Sequence, residues 1–143
     1  MITANLTRET KIPLDKVWSL LSDFTGSPSP AFPVVVHEKG DPKNNGVGTI
    51  RTLTIGKIKV MERLEAAIPF QSFMYSILSG SPVKQYLGKW EFHEENNFTI
   101  VRWRADFKPK VPLIGWIIAM VTKRVVHQII NQIEADDMDA SIT

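Results

Sequence analysis

The spacing of apolar and polar positions changes period several times along the chain. In ITANLTRETKI, residues 2–12, Ile2, Ala4 and Leu6 share one face while Thr3, Asn5 and Thr7 share the other, as in a strand. From Pro13 the spacing becomes helical. Leu14, Val17, Trp18 and Leu21 fall at i, i+3, i+4 and i+7, ahead of Phe24 and the breaker TGSPSP. A short irregular piece around Ala31-Phe32-Pro33 leads into the strand-like VVVHEK. The turn-rich GDPKNNGVG, Gly40 to Gly48, then connects to a hairpin pattern, GTIRTLTIGKIKVMERLE. Further strand-like runs begin at Phe73, Lys84 and Phe98, separated by GSP at 80–82 and EENN at 94–97. From Pro112 to Asp137 the helical period returns and predicts a long final helix.

Short loops between consecutive strands imply an antiparallel sheet. A bent sheet with one apolar face needs a cover, and only the final helix is long enough to supply it. The fold class read from this order is α+β, with one or two short helices after the first strand.

The hairpin fixes its own register. With Gly56-Lys57 as the two loop residues, Ile55 faces Ile58, Leu53 faces Val60, Arg51 faces Glu62 and Thr49 faces Leu64, all on one face. The other face, from Ile50 to Glu65, is more polar and is expected outside. Arg51 and Glu62 are therefore expected inside together. The same alternation puts Tyr86, Trp90 and Phe92 inward, along with Val101, Trp103, Ala105 and Phe107. It leaves Arg102, Arg104 and Asp106 outside, where cross-strand charge pairs with Lys89 and Glu91 are expected. Phe73, Tyr75 and Ile77 form the bulkier face of their strand. In the final helix Ile114, Val121, Val125 and Ile129 define the expected sheet-facing stripe, flanked by Ile117 and Ile118, with Gln128 and Gln132 close by. Lys123, His127, Asn131 and Glu134 form the expected exposed side. Trp116 and Met120 project there too, and either pack under a loop, the favoured expectation, or form a small exposed patch.

Composition narrows the function classes. With 143 residues, 43% of them hydrophobic, and a net charge of +2, the chain reads as one ordinary globular domain over residues 1–143. No basic block suited to nucleic acid occurs. The absence of cysteine excludes disulfides, thiolate metal sites and cysteine nucleophiles. His37, His93 and His127 are not at metal-ligand spacing, and no GxSxG, P-loop or GxGxxG motif is present. PLIGWIIAMV is too short to cross a bilayer, and the first residues contain no signal-like apolar run, so cytoplasmic location and no stable membrane insertion are the expectations.

PLDKVWSLLSDF, GVGTIR, ERLE, YSILSGSP followed by Tyr86, and VRWRADFKP, in this order, resemble the polyketide cyclase/dehydrase-like branch of the START-like, or SRPBCC, superfamily. The resemblance covers essentially the whole chain. It implies a helix-grip: a curved antiparallel sheet of about seven strands wrapped around a long C-terminal helix, with an apolar cavity between them. Plant abscisic-acid receptors of the same superfamily have cavity-facing residues at the positions matching Arg51, Glu62, Tyr75 and Tyr86. Their histidine-arginine-leucine latch is missing here, where the second loop reads SGSPVK. A hormone-receptor function is not implied.

The expected ligand-facing set is Arg51, Leu53, Val60 and Glu62 from the hairpin and Tyr75, Ile77, Tyr86 and Trp90 from the next two strands. Val101, Trp103 and Phe107 follow, with Val121, Val125 and Gln128 from the helix. Three functions are compatible with it. One is binding of a small hydrophobic, lipid- or polyketide-like ligand, with Arg51 and Glu62 at its polar end. The second is a metal-free cyclase or dehydratase using Glu62 as acid/base and Arg51 to polarise a carbonyl. The third is an interaction module whose cavity is filled. No cofactor is implied, the expected partner is a small apolar molecule rather than nucleic acid, and the oligomeric state is left open.

Overall fold

The computed structural model describes residues 1–40, 46–111 and 113–142, so part of the turn read at Gly40 to Gly48, and Pro112, lie outside the described residues. The elements are β1 (Ile2–Thr10), α1 (Leu14–Ser22), β2 (Val34–Glu38), β3 (Ile50–Ile55), β4 (Ile58–Ile68), β5 (Ser72–Ser79), β6 (Val83–Glu95), β7 (Phe98–Pro109) and α2 (Gly115–Ile142). The strands form one antiparallel sheet in the order β1-β7-β6-β5-β4-β3-β2, beneath the long helix α2. This is the α+β helix-grip. Because β1 and β2 lie at opposite edges, the segment containing α1 carries the chain across the end of the sheet. There Trp18 meets Phe73 and Phe92 edge-on, at centroid distances of 6.1 and 5.6 Å.

Turn chemistry sets the register. Gly56, at φ 61°, opens the two-residue β3–β4 loop, and Ile55 pairs with Ile58, Leu53 with Val60 and Arg51 with Glu62. Asn96 and Asn97 take φ 52° and 67° in the β6–β7 turn, the primed geometry that asparagine tolerates. Bulges bend the sheet. In β6 the register shifts between Lys84 and Leu87, where Gln85 has φ 53°. The extra residue resets the alternation, so Val83 and Tyr86 both face in.

α2 does not lie evenly on this sheet. Its backbone approaches β1 and β7 closely, and from its middle onward it buries Val126, Ile129, Ile130 and Ile133. Polar ties fix the same stretch. Arg8 Nη2 donates to Glu134 at 2.7 Å, Arg8 Nη1 lies 3.0 Å from both His127 Nδ1 and Asn131 Oδ1, and Ser29 Oγ donates to Asp136 at 2.6 Å. Toward its N-terminus the helix stands off β3–β5.

Four expectations are corrected here. The helix begins at Gly115 rather than Pro112, because Leu113 at φ 74° is outside helical geometry. The His127, Asn131 and Glu134 side is not free surface, since Arg8 from β1 reaches across it and leaves His127 half-buried. Trp116 and Met120, 67% and 40% exposed, are not packed under a loop among the described residues. The ion pairs outside β6 and β7 run along each strand, Lys89 to Glu91 at 3.8 Å and Arg104 to Asp106 at 3.2 Å, because i and i+2 side chains share a face.

The Arg8 cluster gives a direct test of how α2 is held. Arg8→Ala should lower the unfolding free energy by about 1 kcal/mol, shrinking in high salt because Arg8 and Glu134 are only partly buried. Urea titrations at two ionic strengths measure it; a loss unaffected by salt would mean that packing of the Arg8 stem, not charge, holds the helix.

Candidate functional site

Where α2 leaves the sheet a cavity of about 410 Å³ remains, lined by the inward faces of β3–β6, by α1 and its exit, and by the first half of α2. A filled interior, the premise of the interaction-module reading, is therefore not what the sheet and helix enclose. The volume falls within the range of about 300–1,000 Å³ typical of small-molecule sites. Ile58, Ile117 and Val121 line it while partly exposed, as do Gly80 and Pro82. The mouth thus lies between the β3–β4 hairpin tip, the β5–β6 turn and the start of α2.

Period-two alternation from the fixed hairpin register brings Arg51 and Glu62 onto this wall, both buried. Arg51 Nε donates to the Glu62 carboxylate oxygen Oε1 at 3.2 Å, and Nη2 forms an ion-pair contact with the same oxygen at 3.1 Å. The guanidinium carbon lies 3.8 Å from the centroid of the Phe24 ring, a cation–π contact out of water. One nitrogen is left over. Arg51 Nη1 is buried and has no hydrogen-bond partner among the described residues. Burial pushes the Glu62 carboxyl above the ordinary carboxylate value, against the opposing charge and hydrogen bond of Arg51.

A second polar cluster lies beside this pair, on the neighbouring strands β5 and β6. Tyr75 and Tyr86 hydroxyls are 2.8 Å apart, and Trp103 Nε1 donates to Tyr75 Oη at 3.1 Å. Burial first, and then the Glu62 charge, pushes the Tyr75 phenol up; burial and Tyr75 push Tyr86 well above its usual value. Both phenols stay protonated and can donate without acting as bases. Tyr75 is placed by an absence. Its cross-strand partner is Gly88, and a Cβ added there would overlap the Tyr75 ring.

The structure brings together most of the expected set. Arg51, Leu53, Val60 and Glu62 line the cavity, as do Tyr75, Ile77, Tyr86, Trp90, Val121 and Val125. Four residues do not. Val101, Trp103 and Phe107 belong to β7, which α2 approaches directly, so they pack in the core behind the lining; Phe107 stacks on Tyr86 with centroids 6.1 Å apart. Gln128 is exposed, because the buried arc of α2 runs through Val126 and Ile129, which line the cavity, to Ile130 and Ile133 beyond it. Leu21 and Phe24 line it as well, although strand alternation cannot reach them; their only sequence signal is the apolar end of the α1 pattern. Ile55, Phe73, Ile118, Val126 and Ile129 add to the apolar wall.

This combination of bent sheet, leaning helix and apolar cavity with a polar end defines a START-like helix-grip protein. The chain belongs to the family described as polyketide cyclase / dehydrase and lipid transport, which matches residues 1–141. A search of curated proteins gives no match in sequence. Solved structures share the fold at low identity. XoxI from Bacillus cereus is 22% identical with a TM-score of 0.77, covering 99% of each chain. A Bacillus thuringiensis protein is 21% identical with a TM-score of 0.74, covering 94% of this chain and 98% of its own. Ara h 8.0201 is 17% identical with a TM-score of 0.69, covering 96% of this chain and 99% of its own.

Proposed function

We propose that the protein binds a small hydrophobic molecule, lipid- or polyketide-like, whose oxygen-bearing polar end meets Arg51. The observation that carries this reading is the buried Arg51 Nη1, which lacks an acceptor among the described residues on a wall that is otherwise largely apolar. A buried donor without a partner costs about 1–3 kcal/mol, and a ligand oxygen recovers it. Membership of a family described by lipid transport supports the same class of ligand. Trp90 lines the cavity and gives an optical readout. Long-chain fatty acids and aromatic polyketide-like acids should quench the protein's fluorescence with one-to-one saturation, and Arg51→Met should weaken binding about 10-fold. Native mass spectrometry before and after organic extraction should show a co-purifying small molecule. If nothing co-purifies and no member of such a panel binds, the reading is wrong.

A cyclase or dehydratase is the second reading, and one observation favours it: Glu62, with its raised pKa, stands near two protonated phenols in the same cavity. Glu62 is the only carboxylate among the lining residues. If chemistry occurs, Glu62→Gln should abolish turnover of a β-hydroxyketone while ligand binding persists.

A further inference from the structure

The surface around the cavity mouth has a composition that ligand binding alone does not require. Trp116, Ile117, Met120, Val121 and Arg124 follow one another at i, i+1, i+4, i+5 and i+8, a single stripe at the start of α2 that Leu113 continues from just ahead of the helix. Its apolar members are all exposed, with Leu113 at 89% and Trp116 at 67%. Ile117 and Val121 belong at once to this stripe and to the cavity lining, so the patch runs continuously into the mouth. Exposed apolar surface of this kind marks an interaction site.

Charge identifies what covers it. From Lys108 to Arg124 the sequence has four cations, Lys108, Lys110, Lys123 and Arg124, and no carboxylate. From Val125 to Ile142 it has Glu134, Asp136, Asp137 and Asp139 and neither lysine nor arginine. The polarity is spatial as well as sequential. Lys84 pairs with Lys108 at the same end of the sheet, Lys110 N donates to Pro82 O in the β5–β6 turn, and Lys57 and Lys59 belong to the hairpin whose tip borders the mouth. Trp116 and Met120 at the centre with lysines and arginine around them form the pattern of an interfacial membrane contact, where an indole takes the headgroup level and cations meet anionic lipid.

We propose that the cavity mouth docks on the surface of an anionic lipid bilayer, with Leu113, Trp116 and Met120 entering the headgroup region and Lys110, Lys123 and Arg124 contacting lipid phosphates. The proposal rests on the ligand-binding reading and gives it a route, since a docked mouth lets an apolar ligand pass between bilayer and cavity without crossing water. No helix among the described residues is long and apolar enough to cross a membrane, so the contact is peripheral.

Trp18, Trp90 and Trp103 are buried and Trp116 is not, so fluorescence distinguishes docking from ligand entry. The full chain mixed with vesicles of phosphatidylcholine and phosphatidylglycerol should co-sediment and show a blue-shifted emission that Trp116→Phe removes. Pure phosphatidylcholine vesicles should bind far less. Charge reversal, Lys123→Glu with Arg124→Glu, should weaken binding to anionic vesicles about 30-fold or more. Trp116→Ala with Met120→Ser should lose vesicle binding yet still bind soluble ligand, whereas Arg51→Met should dock normally and bind ligand poorly; the two readings therefore fail separately. Three outcomes overturn the proposal: no binding to either vesicle, binding unchanged in the Trp116→Ala/Met120→Ser variant, or a dimer in solution that this variant disperses, which would assign the patch to a second copy of the chain.

Discussion

Replacing Arg51 by alanine is expected to lower the unfolding free energy by about 3–5 kcal/mol at neutral pH, which is the cost of leaving a buried carboxylate without its partner. Glu62 is buried, and the two guanidinium nitrogens nearest it, Nε and Nη2, both face one oxygen. Removing them leaves that carboxylate charged in an apolar cavity or forces it to take a proton. The loss of packing on Phe24 adds a smaller amount. Changing both partners at once should behave differently. Arg51→Met with Glu62→Leu should fall within about 1 kcal/mol of the parent, because replacing a buried ion pair by apolar groups is often neutral or stabilising. That double variant should no longer distinguish ligands by their polar end. Chemical denaturation of the three proteins measures the set, and a cost below about 1 kcal/mol for the single change would show that the pair is hydrated.

The same pair makes stability depend on pH with a definite sign. Burial raises the Glu62 pKa in the folded protein above its ordinary value of 4.5. A raised pKa means that the folded state holds the proton more tightly than the unfolded chain. Its contribution is therefore fully present below the ordinary carboxylate value and is lost as pH rises through the folded value. Arg51→Ala removes the opposing attraction and carries that loss to higher pH, so the gap between parent and variant should be small in acid and widen toward neutrality. Glu65 and Asp106, held low by hydrogen bonds to Ser76 and Thr3 and by neighbouring arginines, act in the opposite direction. Both occur in every variant, so differences against Glu62→Gln isolate the buried carboxyl. A gap that does not change with pH would mean that Glu62 keeps its charge in the Arg51→Ala protein throughout.

The Arg51–Glu62 pair was legible in the sequence because a two-residue loop beginning with glycine leaves one register, and a one-residue slip would expose Leu53 and Val60. Strand alternation likewise identified the inward faces of β6 and β7. It could not separate the residues that border space from those that fill it. Trp90 lines the cavity and Trp103 does not, and the difference is set by where α2 comes down. That placement is poorly encoded, since α2 carries Ile117, Ile118, Val121, Val125, Val126, Ile129, Ile130 and Ile133 on overlapping faces, and its period does not choose one arc. Hence Gln128 is expected at the site but is exposed, while Val126, on no expected stripe, lines the cavity. Phe24 was missed for another reason: it follows the helix in an irregular segment, where no period predicts direction.

Gly88 falls within the strand-like run that begins at Lys84, and the structure makes it a steric requirement of the site. Gly88→Ala is expected to cost about 2–5 kcal/mol and to disable the cavity together with the fold's local order. The backbone there is ordinary, so the effect does not come from strain in the main chain. It comes from the Tyr75 ring, which occupies the volume a methyl group would take and is itself enclosed by Phe24, Phe73 and Tyr86. A ring so enclosed cannot tilt away without breaking its hydroxyl contacts to Trp103 and Tyr86, which would leave a buried indole N–H without an acceptor. The cost should therefore depend on Tyr75 and not on the strand. In a Tyr75→Ala background Gly88→Ala should cost less than about 1 kcal/mol, giving a large coupling energy in a double-mutant cycle. If Gly88→Ala destabilises equally in both backgrounds, the glycine serves the backbone of β6 and Tyr75 is positioned by other contacts.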